Sequence, residues 1–395
     1  MKQIADKIFE FGEHDENTIE QIKMVAADPR VHRAILAADG HLGYSMPIGG
    51  VAAYQGVVSP SGVGYDIGCG NLAVKTDFRR ANVAYWEDLA HEIYNSISFG
   101  IGRTNNDDQA DHPMFIADIW NNPVLQALKQ KAQAQLGTVG AGNHFVDILE
   151  DEAGWLWVGV HFGSRGLGHG IATHYIKAGG GKDGIMQAPT ILDANSELGK
   201  EYIAAMQLAG DYAMAGRSWV VIRVLSIMGA RSTERVHNHH NFAWREVHEG
   251  QEFWVVRKGA TPAFPGQQGF IGGSMGDISA IVEGVDTPTS RAALFSTVHG
   301  AGRVMSRTQA AGKKKWVQGK MIRTGAGAIS HQMMNDILHD QHVLLLGGDT
   351  DEAPQVYRPL GSVLKAQEDT IKVLHTLKPI VVLMAPGEIQ DPYKD

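Results

Sequence analysis

Cysteine is nearly absent, with Cys69 the only one among 395 residues. An internal disulfide is therefore excluded, and a reducing compartment is the natural setting. No apolar run is long enough to cross a bilayer, and the N-terminus, Met1-Lys2-Gln3-Ile4-Ala5-Asp6-Lys7, lacks the apolar core of a secretory signal. A cytoplasmic protein without membrane association is expected. Excess positive charge is missing as well. The formal net charge is -8, which argues against sequence-independent coating of nucleic acid and leaves room for a local basic groove. There is no internal repeat, low-complexity tract or clear linker, so residues 1–395 read as one compact domain.

Glycine is what the chain has in excess. Forty-seven glycines occur in a chain that is 44% hydrophobic and 20% charged, a globular composition. Many cluster beside His, Asn, Ser or Arg, the pattern expected where loops build a site. The densest cluster is Gly62-Val63-Gly64-Tyr65-Asp66-Ile67-Gly68-Cys69-Gly70. Asp66 and Cys69 stand three apart among residues that tolerate tight turns, so one loop can aim a carboxylate and a thiolate at a single point, as a divalent cation requires. A buried structural cysteine is the competing reading.

Along the chain, Asn17-Thr18-Ile19-Glu20 reads as a capping box opening a helix that ends before Pro29. A buried strand over 34–38 then delivers Asp39-Gly40-His41, either a site loop or a plain turn with a capping Asp. Trp86 to Ile97, Pro123 to Ala134 and the long tract Glu197 to Met228 read as helices, the second with Pro in its first turn. Val57-Val58, Leu72-Ala73-Val74, Trp155 to Val160, Phe253 to Val256 and Ile380 to Met384 read as strands. The polar stretch 105–112 reads as a solvated loop, and so does Lys313-Lys314-Lys315-Trp316, with an RNA-tracking edge as its alternative. His331, His339, His342 and His375 fall on stretches that read as helix or helix end and are taken as structural. His237 and His239 crowd a further histidine and suit a supporting role. Imidazoles recur on glycine-rich loops at His144, His161 and His299 and in the run Val236-His237-Asn238-His239-His240-Asn241, beside serines, backbone amides and arginines suited to phosphate.

Several stretches carry a resemblance. Val63-Gly64-Tyr65-Asp66-Ile67-Gly68-Cys69-Gly70, Gly142-Asn143-His144-Phe145, His161-Phe162-Gly163-Ser164-Arg165-Gly166, His239-His240-Asn241, Arg257-Lys258-Gly259-Ala260, Gly273-Ser274-Met275-Gly276 and His299-Gly300-Ala301-Gly302-Arg303 occur in the order and wording of the RtcB family of RNA ligases. The resemblance spans about Asp39 to Tyr357. It implies a single catalytic domain of the family's own α+β fold, with central β-sheets flanked by helices around a deep metal site. It also implies an enzyme that uses GTP and two Mn²⁺ ions to join an RNA 3′-phosphate or 2′,3′-cyclic phosphate to a 5′-hydroxyl, in RNA repair or tRNA splicing. Whether it needs an activating protein partner stays open.

By the same resemblance, Asp66, Cys69, His144, His161 and His240 are ligands of the two ions, with Cys69 bridging them. Ligand softness alone would favour Zn²⁺, so manganese rests on the resemblance. His299 is similar to the family's nucleophile, which forms a histidine–GMP phosphoramidate. Asn143, Phe145, Asp147, Asn241, Ser274, Ser279, Ala301, Gly302 and Tyr357 correspond to the GMP site, and Arg165, Arg303 and Arg307 to holders of RNA phosphates. Asp39 and His41 match a loop lining the site, in a role left open.

Two departures touch the guanine side. The family commonly has Asn-His-Phe-x-Glu, where this chain has Asn143-His144-Phe145-Val146-Asp147, one methylene shorter. The family's C-terminal Lys-Gly is replaced by a tail from Ala385 to Asp395, in which Lys394 is the candidate substitute. These changes motivate two alternatives: a metal-dependent RNA 2′,3′-cyclic phosphodiesterase or phosphatase, and a non-catalytic RNA-end-binding protein.

Overall fold

The structure is a computed structural model, which describes residues 1–105, 107, 111–182, 184–317 and 320–387. The chain is a mixed helix and sheet protein, as expected. Two sheets carry it. One has six strands in the order Lys2–Ala5, Ile8–Glu10, Val31–His41, Ile48–Tyr54, Gln251–Lys258, Asn241–His248. The other runs Ser232–His239, Gly70–Arg79, Trp155–Phe162, Phe145–Asp151, Ile371–Pro386, Ser279–Gly284, Gln268–Ile271, with Leu344–Gly348 pairing in parallel to Ile371–Pro386.

Helix Glu197–Met228 links the apolar cores. Its first half buries Tyr202, Ala205, Met206, Ala209 and Tyr212 in one core, while Val220, Val221, Val224 and Met228 enter another beneath the second sheet. Each such aliphatic side chain removed from water contributes about 1.5–3 kcal/mol. Ser196 caps the helix start by accepting from the Gly199 amide, and Gly229, at φ 70°, ends it in the left-handed turn that glycine adopts freely.

Some local expectations shift. The first helix is Glu16–Ala26, and its cap is Asp15, which accepts from the Thr18 amide at 3.0 Å and from its hydroxyl at 2.6 Å. The expected box at Asn17 is therefore displaced, because a carboxylate two residues earlier reaches the free amides first. His375 lies within strand Ile371–Pro386 and contacts Glu152 at 2.9 Å, so its helical reading was wrong. Strand pairing with Ser279–Gly284 decided it. Lys314–Val317 and Lys320–Arg323 form a hairpin where a loop was expected. Lys394, and part of the polar stretch 105–112, lie outside the described residues.

Candidate active site

Strand register builds the site. Gly70 pairs with both His239 and Phe162, and His161 pairs with both Asn71 and Phe145. Cys69, His144, His161 and His240 therefore all fall at one end of four neighbouring strands, although 171 positions separate the first from the last. The Sγ of Cys69 lies 3.8 Å from Nε2 of His144 and 3.7 Å from Nε2 of His161. Asp66 Oδ2 is 3.1 Å from the same His144 nitrogen. The ligand atoms of Cys69, His144 and His161 lie within 4.8 Å of one another.

Partners behind the rings fix which nitrogen faces inward. Nδ1 of His144 is 3.0 Å from the Val139 carbonyl, which can only accept, so Nδ1 carries a proton and Nε2 is the nitrogen that faces Asp66 and Cys69. Nδ1 of His161 donates to Asn71 Oδ1 at 2.6 Å, and Asn71 is itself oriented by donating to the Phe270 carbonyl at 2.7 Å. His240 stacks on His161 with ring centroids 5.1 Å apart, and its buried Nδ1 has no hydrogen-bond partner. A buried, unpaired nitrogen beside a thiol, two oriented imidazoles and a carboxylate is a donor set that fits a divalent ion.

Charge supports the same reading. Burial alone would raise the Asp66 carboxyl, but the His144 hydrogen bond and charge, with Arg165 and Cys69, bring it down to about 2. Burial, with the Asp66 charge beside it, pushes the Cys69 thiol well up, so an ion binding there must displace its proton. Burial and neighbouring cationic groups hold His161 and His240 well below the usual imidazole range, which keeps them neutral and able to ligate.

Close backbone approaches shape the loop. Gly68, at φ 71°, would place a Cβ 2.9 Å from the Gly210 Cα, so glycine at both positions lets the long helix abut the loop. Gly163 would place one 2.0 Å from Asp66 Oδ1. Arg217, fully buried on that helix, donates to the carbonyls of Gly68 and Phe162 and to Nε2 of His237 and Nδ1 of His239 at 2.9 and 3.0 Å. A guanidinium has no lone pair to offer, so Nε2 of His237 accepts from it, while Nδ1 of His239 lies between Arg217 and the Gly68 carbonyl, 2.9 Å away. Burial and then the Arg217 charge lower them to about 2 and about 3, the Gly68 carbonyl working the other way on His239, so both are neutral.

His299 follows the strand Ser296–Val298 and meets His240 edge-on at 4.9 Å between ring centroids. Asp39, at 0% exposure, places one oxygen 2.6 Å from Nδ1 of His299, 2.9 Å from its amide and 3.2 Å from the Gly300 amide. Burial works against ionising Asp39, but the His299 charge and hydrogen bonds prevail and hold its carboxyl below the ordinary range. Nδ1 is thereby committed as a donor, and Nε2 is the nitrogen left for chemistry.

Asp66, Cys69, His144, His161, His240 and His299 open on one cavity of about 1000 Å³. The sequence profile described as "tRNA-splicing ligase RtcB" matches residues 21–385. The chain belongs to the RtcB family. It is 31% identical over 392 residues to the RNA-splicing ligase RtcB of Escherichia coli strain K12, covering 89% of each chain. It is 32% identical over 385 residues to the tRNA-splicing ligase RtcB of Thermococcus kodakarensis, covering 77% of this chain and 80% of that one. With the tRNA-splicing ligase RtcB of Archaeoglobus fulgidus it shares 29% over 452 residues, 94% and 89% of the respective chains.

In this RtcB-family chain, the five metal-ligand candidates and His299 converge on the cavity. Asn143, Phe145, Asp147, Asn241, Ser274, Ala301, Gly302, Tyr357, Arg165, Arg303 and Arg307 also line it. Ser279 stands behind the wall, its hydroxyl accepting from the Gly273 amide at 3.0 Å and so bracing the loop that presents Ser274. Asn241 is engaged twice, donating to the Asp66 carbonyl at 3.3 Å and accepting from the Gly259 amide at 2.7 Å. Arg303 reaches Glu352 at 3.4 Å and the Tyr357 hydroxyl at 3.1 Å, while Arg307 pairs with Asp351 at 3.4 Å and with Glu352. Asp147 is buried, has one unpartnered oxygen, and is pushed well above the usual carboxylate range by burial.

Sequence reading left Asp39 without a role and passed over Asn71, Arg217 and the acids Asp351 and Glu352. A polar Asn within Gly70-Asn71-Leu72 and a lone arginine in the apolar Met214-Ala215-Gly216-Arg217 were the signals available. A charged or amide side chain in a core segment needs a partner.

Proposed function

We propose that this chain is an RNA ligase that joins an RNA 3′-phosphate or 2′,3′-cyclic phosphate end to a 5′-hydroxyl end. On this reading residues 1–395 form one catalytic domain, GTP is the co-substrate and Mn²⁺ the metal. The observation that carries it is His299, its Nδ1 held by Asp39, in the same cavity as the Asp66, Cys69, His144, His161 and His240 cluster.

His299 Nε2 attacks the α-phosphorus of GTP. The N–P bond forms as the bond to pyrophosphate breaks, and Asp39 stabilises the imidazolium that results. An RNA 3′-phosphate oxygen then takes the GMP, returning the electron pair to Nε2, and a cyclic end is first opened by water. Finally the 5′-hydroxyl attacks the 3′-phosphorus, GMP leaves, and the hydroxyl proton passes to solvent. Asp66, Cys69, His144, His161 and His240 would hold the divalent ions, which supply neutralising charge at phosphate oxygens. Arg165, Arg303 and Arg307 orient the RNA ends. Asn143 and Asn241 flank the ribose-phosphate region, and Phe145, Asp147, Ser274, Ala301, Gly302 and Tyr357 form the base side, with Ser279 supporting it from behind.

The test is incubation with α-labelled GTP and, separately, α-labelled ATP in Mn²⁺, followed by denaturing electrophoresis at alkaline pH, where a phosphoramidate survives. Label from GTP that disappears in His299→Ala supports the proposal. Label from ATP alone refutes the guanine assignment. No label, with folded and metal-loaded protein, refutes the nucleophile and turns attention to cyclic-phosphate hydrolysis without joining.

A further inference from the structure

We infer that Arg257, held by Glu246, is a positioning residue for His299: it clamps the left-handed turn at Leu294 and Phe295 from which the strand Ser296–Val298 delivers that histidine. The inference rests on the assignment of His299 as nucleophile. Its starting observation is the backbone. Leu294 and Phe295 are consecutive and not glycine, yet stand at φ 53° and 44°. Bulky side chains rarely adopt that region, and they stay there only where surrounding contacts over-determine the turn.

Arg257 supplies those contacts from both sides of Phe295. Its Nη2 donates to the Leu294 carbonyl at 2.9 Å, and its Nε donates to the Ser296 hydroxyl at 2.8 Å. The Ser296 hydroxyl donates in turn to the Leu294 carbonyl at 3.0 Å, closing a ring of hydrogen bonds around the turn. The guanidinium is fully buried, and both of its terminal nitrogens reach Glu246, at 2.6 and 3.1 Å. His248 adds a contact to Glu246 at 2.8 Å, and Trp244 lies against the guanidinium with its ring centroid 5.0 Å away. The planar fork makes four hydrogen bonds from three separate nitrogens to Glu246, Leu294 and Ser296, whereas an ammonium has only three donors on one nitrogen.

The clamp bears on the nucleophile through three residues. Ala260–Pro262, which begins three positions after Arg257, pairs with Ser296–Val298 in the register Ala260 to Val298, and the Ala260 amide donates to the His240 carbonyl at 3.2 Å. Arg257 therefore ties His299 to His240, and with it to the end of the sheet that carries the other candidate ligands. Reacting groups must sit within a fraction of an ångström of their productive positions, so a turn that relaxes here changes the rate before it changes binding.

The experiment uses the full chain with Mn²⁺ and α-labelled GTP under single-turnover conditions. Arg257→Lys is expected to slow adduct formation about 10- to 100-fold while half-saturation by nucleotide stays within about twofold. Phe295→Gly in the Arg257→Lys background is expected to recover part of that rate, because glycine holds a positive φ without a clamp. An unchanged rate constant in folded Arg257→Lys, a loss confined to half-saturation, or no recovery with glycine would overturn the inference. If Arg257→Lys fails to fold, Ser296→Ala, which keeps the ion pair and removes the hydroxyl link, decides: a slower adduct step supports the clamp and an unchanged one refutes it. A readout independent of turnover is the downfield imidazole proton of the Asp39–His299 hydrogen bond in the NMR spectrum. It should shift in Arg257→Lys and return with Phe295→Gly. Should the native chain form no adduct, the nucleophile assignment fails, and this resonance alone decides the clamp.

Discussion

Replacing Asp39 with Asn tests the centre of the proposed chemistry. As His299 Nε2 bonds to phosphorus, its ring gains a full positive charge, and the Asp39 carboxylate 2.6 Å from Nδ1 is the nearest counter-charge. Taking the charge centres as about 4 Å apart with an effective dielectric near 20, that pair contributes about 4 kcal/mol. At 1.36 kcal/mol per tenfold, Asp39→Asn should slow adduct formation roughly 10³-fold. The amide can still accept from the His299 and Gly300 amides through its oxygen, so the fold should survive. Its NH₂ group, however, then lies where Asp39 Oδ1 has no hydrogen-bond partner. The assay is single-turnover transfer from α-labelled GTP, with metal content and thermal unfolding measured in parallel. A folded, metal-loaded Asp39→Asn that forms adduct within about tenfold of the native rate would refute the counter-charge argument.

Removal of one ligand should uncouple metal from stability: Mn²⁺ at about a hundredfold over its dissociation constant should add about 2.7 kcal/mol to the native protein, and Cys69→Ala should abolish the increment in a thermal shift assay. An equal increment in Cys69→Ala would remove Cys69 from the ligand set. Burial pushes the Asp147 carboxyl well above its usual range, and the protonated form offers an O–H donor and a carbonyl acceptor, roles that the NH₂ and carbonyl of asparagine can fill. Asp147→Asn should therefore leave nucleotide half-saturation within about fivefold, and a loss of about 100-fold or more would mean that the site uses a carboxylate anion. Acid should destabilise the metal-free protein through His41, which burial lowers from 6.5 to about 4. Below 6.5 the unfolded chain binds a proton that the folded chain refuses, so stability falls as pH drops from 6.5 to 4 and the slope eases below that. Urea midpoints should fall less steeply over that window in His41→Asn, and parallel curves would exclude His41 as the cause.

Much of the site was legible because its chemistry is local in sequence. Gly62 to Gly70, Gly142 to Phe145, His161 to Gly166, His239 to Asn241 and His299 to Arg303 each carry a reactive side chain in a short run, and the resemblance of those runs to the RtcB family nominated the ligands and the nucleophile. The long helix Glu197–Met228 was legible in outline from its helical tract, and the structure ends it at a Ser196 cap and at Gly229. Tertiary structure decided what sits behind those groups. Asp39 finds His299 across 260 positions where strand Val31–His41 packs against Ser296–Val298, and Asn71 finds His161 across 90 through strand register. Ser279 leaves the cavity wall to brace a neighbouring loop, and Arg303 and Arg307 meet the buried acids Asp351 and Glu352. A buried polar group must find a partner, and which partner it finds depends on how distant strands align. The sequence by itself determined the list of reactive groups. Only folding decided which nitrogen of His161 and of His299 faces the cavity, because the hydrogen bond on the far side of each of those rings comes from a distant part of the chain.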